Sequence, residues 1–215
     1  RMSMVKVLSE YILSLGQEAY IPNFFCKAYR PVLYIPSKEE VKELLQKMDI
    51  RTSHNSEQFR LDRECKILFL LYFCCGLRLS EGRLLKWEHI DLDKGILTVL
   101  GSKGNKDRLV YLPQDSLPVL KNYKERQEML FPGIDWAFPG KDPHKPVSCS
   151  GVESSFNRHW AMLPVARTVD KHPTPHCLRH AFVVERFNEW MHQGIDTNTI
   201  CLLYTSPSPR DVEES

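Results

Sequence analysis

Four residues of this 215-residue chain carry side chains suited to holding an anion and moving a proton, in the order Arg78, Lys103, His176 and Arg179. Two guanidiniums, an ammonium and an imidazole gathered at one point would repel one another unless an anion lay between them, and the planar fork of arginine matches phosphate oxygens. A phosphodiester is the natural guest. His176 and Arg179 stand three apart in "PTPHCLRHAF", a spacing that puts both on one face of a helix. Each residue also admits a plainer role. Arg78 could cap the carbonyls of the helix before it and pair with Glu81, and Lys103 could be a solvated lysine in a hairpin turn. His176 and His180 have the four-residue spacing of zinc ligands on a helix, but Cys177 stands where His-Glu-x-x-His requires its glutamate. No metal site is expected.

Holding these groups in place requires a core, and 42% apolar residues at this length suffice to build one. The net charge of +2 neither demands nor excludes a nucleic-acid partner. Residues 101–126 carry six basic side chains against three acidic ones, an excess that a solvated face would explain equally well. No apolar run reaches the length of a membrane span and no signal peptide opens the chain, so a cytoplasmic location is expected. The seven cysteines show no Cys-x-x-Cys spacing, and Cys74 and Cys75 sit in an apolar run, which suits buried reduced thiols better than bridges or zinc ligands.

The periodicity predicts a helix from about Val5 to Leu15, stopped by Gly16; the start at Arg1 rather than Met reads as a cut end. Pro22, Pro31 and Pro36 mark a linker. A new domain then opens at Ser37, whose capping box with Glu40 precedes Val41, Leu44, Leu45 and Met48 at helical spacing. A second helix is predicted from Ser56 to Cys75, with Leu61, Cys65, Leu68, Phe69 and Tyr72 on one side and Gly76 as its stop. "GLRLSE" leads into a short amphipathic helix with Leu84, Leu85 and Trp87 turned inward. "GILTVLG" and "DRLVYLP" alternate as two strands joined by the turn "SKGNK". Helices follow at 116–130 and 150–162, the latter opened by a capping box of Ser150 and Glu153. Thr174 is expected to cap the last helix, with Pro175 in its first turn and Gly194 at its end. The fold class is α+β, mainly helical with a small antiparallel β-sheet.

The stretches "GLRLSEGRLLKWEHIDL" (76–92), "GSKGNKDRLVYLP" (101–113) and "HCLRHAF" (176–182) together resemble the catalytic domain of the tyrosine recombinases, the phage-integrase and Xer-like family. The resemblance covers roughly residues 37–200, and residues 1–36 look like the end of that family's amino-terminal DNA-clamping domain with its linker. It implies breakage and rejoining of duplex DNA through a 3′-phosphotyrosyl intermediate, with no metal and no cofactor. Arg78 and Arg179 would clamp the scissile phosphate, His176 would assist proton transfer, and Lys103 would protonate the departing 5′ hydroxyl. Glu81 would orient Arg78, and His180 would be structural. The family works as a homotetramer on DNA; this chain is expected to be a monomer off it.

One departure matters. The family places a Gly-His pair and then a nucleophilic tyrosine beyond the second arginine, and no Gly-His pair follows Arg179. Tyr204 lies in "CLLYTSPSPRDVEES", where two Ser-Pro pairs preclude a nucleophile-bearing helix. No nucleophile is assigned, and the chain as it stands is expected to be inactive. Residues 201–215 resemble a translated sequencing adaptor and read as non-native; without residues 205–215, which carry Arg210 against Asp211, Glu213 and Glu214, the chain is more basic. Two alternatives stay open, a non-catalytic DNA-binding protein that keeps the clamp and a relative of the type IB topoisomerases.

Overall fold

The computed structural model describes residues 2–21, 33–50, 54–102, 106–169 and 172–195. The chain divides into two units, residues 1–32 and residues 33–215. The first contains helix α1 (Met2–Ser14), followed by Gly16 at a φ of 77°.

The second unit is built around one long helix. Asn55 opens α3 (Ser56–Cys75) by accepting the backbone N–H groups of Glu57 and Gln58, at 2.9 and 3.3 Å, which satisfies two of the donors a helix start leaves bare. Leu61, Cys65, Leu68, Phe69 and Tyr72 are all buried on it, as the spacing requires. Around α3 pack α2 (Lys38–Lys47), α4 (Leu79–Arg83), α5 (Leu117–Leu130), α6 (Cys149–Trp160) and α7 (Cys177–His192). The Ser37–Glu40 capping box that begins α2 is formed in both directions. Phe156 and Trp160 of α6 stack at 5.7 Å, and Phe156 meets Phe69 of α3 edge-on. Beside this apolar cluster sits a polar one. Asp62 of α3, 1% exposed, accepts hydrogen bonds from Ser155 (2.8 Å) and Arg158 (2.7 Å) of α6 and from Gln58 (3.2 Å).

The sheet is antiparallel with the order β1 (Ile90–Asp91), β2 (Ile96–Ser102), β3 (Lys106–Tyr111). Leu97 faces Val110 and Val99 faces Arg108, and the register breaks between Val99 and Ser102. β1 is too short for an alternating pattern to reveal it. No helix among the described residues is long and apolar enough to cross a membrane.

Three local expectations need correction. α4 ends after five residues, so Leu84 falls at its C-terminal cap and stays 42% exposed, while Leu85 takes the buried place and Trp87 is half-buried. α6 is capped by Ser148, whose hydroxyl accepts the Gly151 N–H at 3.0 Å, and Ser150 lies inside the helix. In α7 the Thr174 side chain is not the cap: its carbonyl accepts the Cys177 N–H, and His176 occupies the cap position with no side-chain cap bond. Gly194, at a φ of 78°, follows the end of α7 as expected.

Candidate active site

The site grows from the turn at the end of α3. Gly76 ends that helix in the left-handed region, at φ 61°, where a Cβ would be strained. A Cβ there would also lie 2.4 Å from the ring of Phe182 on α7, so glycine is required both by the backbone and by the close approach of α7. One turn before Phe182, Arg179 donates a guanidinium hydrogen bond to the Gly76 carbonyl. Two residues after Gly76, Arg78 sits at the cap of α4. The two arginines, distant in sequence, therefore flank one turn.

Glu81 fixes Arg78. Its carboxylate accepts the Arg78 backbone N–H at 2.8 Å and the Arg78 guanidinium at 2.6 Å. The Glu81 side chain is only 6% exposed, whereas that of Arg78 is 37% exposed. Glu81 thus holds both the backbone and the side chain of Arg78. A third arginine shares the same carboxylate, since Arg108 of β3 grips both Glu81 oxygens, at 2.8 and 2.7 Å. Burial alone would raise the Glu81 carboxyl, but hydrogen bonds from Arg108 and from the backbone and side chain of Arg78 hold it well below the usual carboxylate range.

His176 precedes the first turn of α7, and its carbonyl accepts the Arg179 N–H at 3.1 Å. Its ring meets that of His180 edge-on, with centroids 4.7 Å apart. Partial loss of hydration, followed by the positive fields of His180, Arg179 and Arg78, holds the His176 imidazole below its usual value. An imidazole so placed is neutral near pH 7 and can take a proton, and an anion arriving among these cations would raise its basicity.

Arg78, Glu81, His176, Arg179 and His180 thus share one region of the second unit. Lys103 belongs to residues 103–105, and Tyr204 to residues 196–215; both lie outside the described residues. Among the described residues no three His, Cys, Asp or Glu side chains gather as a metal site. Reading the sequence for chemistry passed over Arg108, counted only as surface charge. In β3 the exposed positions are Asp107, Leu109 and Tyr111, which leaves Arg108 on the inward side with Val110; with two apolar residues facing outward and a charged one inward, the residue pattern alone offers no signal for it.

Residues 37–200 match the model of the phage integrase family. The chain belongs to that family. Its match begins at Ser37, the residue whose capping box opens α2. Among relatives in the family, the tyrosine recombinase XerC of Alcanivorax borkumensis is 31% identical over 183 residues, which is 84% of this chain and 57% of that protein. The tyrosine recombinase XerA of Pyrococcus furiosus is 33% identical over 166 residues, 76% of this chain and 50% of that one. The chain spans about half the length of these relatives. In fold it is similar to a lambda integrase dimer bound to a core site, with a TM-score of 0.64 at 17% identity over 96% of this chain and 70% of the other. The Tn1549 transposon integrase in complex with a circular intermediate DNA gives a TM-score of 0.69 at 12% identity, over 93% of this chain and 68% of that one.

Proposed function

We propose that this chain is the catalytic part of a site-specific DNA recombinase, acting on duplex DNA by strand breakage and rejoining through a 3′-phosphotyrosyl intermediate. The observation that carries the proposal is the convergence of Arg78 and Arg179 on the Gly76 turn, with His176 inside their field. In this reading the two guanidiniums take the non-bridging oxygens of the scissile phosphate. Their donors gain strength as negative charge builds on those oxygens, which is where such a site lowers the barrier. His176, its imidazole held below the usual value by partial burial and then by its cationic neighbours, is ready to take up a proton and to donate a hydrogen bond once charged. Lys103, which lies in sequence between β2 and β3, would protonate the departing 5′ hydroxyl. The relatives named as recombinases, and the structural neighbours bound to DNA, support duplex DNA as the partner.

The nucleophile is a separate matter. We infer that Tyr204 does not serve, because of the Ser-Pro pairs that follow it, and that this chain binds duplex DNA without forming a covalent adduct. Incubation with nicked duplex DNA followed by denaturing electrophoresis tests this: retention of duplex with no adduct is expected. An adduct mapped to Tyr204 would overturn the exclusion of that tyrosine, and absence of any duplex binding would overturn the recombinase reading. Where a tyrosine is supplied, Arg179→Ala should slow cleavage by about 10²–10³-fold and leave duplex binding nearly unchanged. Equal cleavage rates for variant and parent would refute the clamp.

A further inference from the structure

The Arg108–Glu81 pair does more than fasten a strand. α4 is only five residues long, and so short a helix has little stability of its own with which to fix the rotamer of a side chain. Glu81 therefore needs an external hold if it is to present Arg78 in one direction. Arg108 supplies it from a rigid base: its strand is paired with β2, opposite the buried Val99. Its fork closes on both carboxylate oxygens at 2.8 and 2.7 Å, the geometry in which arginine imposes direction as well as charge. The same carboxylate then reaches Arg78 at 2.6 Å. The path from strand to phosphate ligand is thus three side chains long, each contact a charge-assisted hydrogen bond.

We propose that Arg108 is a positioning residue, which through Glu81 sets the direction in which Arg78 meets a phosphate. This rests on the reading of Arg78 and Arg179 as phosphate ligands. It also means that β3 and the arginine at the cap of α4 are set as one unit. Displacing β3 at Arg108 displaces the grip on Arg78.

The test uses the whole chain with isotope-labelled arginine, inorganic phosphate as the probe, and the guanidinium N–H signals of Arg78 and Arg179 as the readout. Arg108→Ala should weaken the phosphate response at Arg78 by about tenfold, in the range of measured couplings between contacting residues. Arg108→Lys keeps the charge without the fork and should fall between parent and Arg108→Ala, and it serves if the alanine variant does not fold. In a Glu81→Gln background Arg108→Ala should have almost no further effect, which a merely structural strand anchor would not produce. A parent-like response in Arg108→Ala overturns the proposal, as does an equal loss in both backgrounds. A parent protein whose Arg78 and Arg179 signals both ignore phosphate refutes the clamp itself and the proposal with it, an outcome distinct from a responsive parent with an equally responsive variant.

Discussion

Gly76→Ala is the substitution whose effect the geometry specifies most closely. The new methyl group meets two separate penalties. At φ 61° a side chain is held in the left-handed region, which costs about 1–2 kcal/mol for a residue other than glycine. The Cβ would also stand 2.4 Å from the Phe182 ring, closer than carbon atoms approach, so the ring or the whole of α7 must retreat. Overpacking of that kind costs about 1–3 kcal/mol. Together the variant should lose about 2–5 kcal/mol, a large share of the 5–15 kcal/mol typical of a domain. Urea unfolding of parent, Gly76→Ala, Phe182→Ala and the double variant separates the two parts. Removing the ring should recover the steric part and leave the backbone part, giving a favourable interaction of about 1–3 kcal/mol in the cycle. A loss below about 1 kcal/mol in Gly76→Ala, or a cycle additive to within about 0.5 kcal/mol, would refute the account of why this turn is glycine.

Glu81→Gln should change the acid limb of stability. Because the folded carboxyl is held well below its unfolded value, it contributes stability above about pH 4.3 that is lost as the pH falls; thermal melts at descending pH should show this loss in the parent and a flatter limb in the variant. Glu64 works in the other direction. Burial, only partly offset by the Arg60 guanidinium, pushes it up to about 7, so its contribution becomes less favourable as pH rises from about 4.3 toward 7, and Glu64→Gln should abolish that decline in urea midpoints. Asp62→Asn leaves the Arg158 guanidinium without its buried counter-charge and should cost about 3–5 kcal/mol in urea unfolding, toward the lower end because Arg158 remains 31% exposed.

What could be read from the residues follows the range of the forces involved. α3 was legible to its last residue because both ends are set locally, by Asn55, whose side-chain oxygen accepts two backbone N–H groups, and by Gly76 in the left-handed region. The strands were legible from strand-forming residue types such as Ile96, Thr98, Val99, Val110 and Tyr111, although their faces were not, since Leu109 and Tyr111 turn outward and Arg108 inward. The start of α7 was misjudged because Thr174 and Pro175 look like a cap and first turn, yet the chain makes one backbone turn there before the helix begins at Cys177. Leu84 and Leu85 carry the same side chain, and only the stopping point of α4 decides which one is buried. In the site, Arg78, Glu81, His176 and Arg179 stood out by type and order. Arg108 did not, because its significance depends on a carboxylate 27 residues earlier in the chain that only the folded sheet brings within reach.

The hydrogen bond from Arg179 to the Gly76 carbonyl spans 103 residues. Closing a loop of that size is opposed by an entropy that grows with its length, and the bond can form only after α7 has been made and has docked. During synthesis α3, α4 and the hairpin can assemble while Arg78 has no opposing arginine. The juxtaposition of Arg78 and Arg179 is therefore a late product of folding, and a chain that stops short of residue 179 would hold the first arginine without the second.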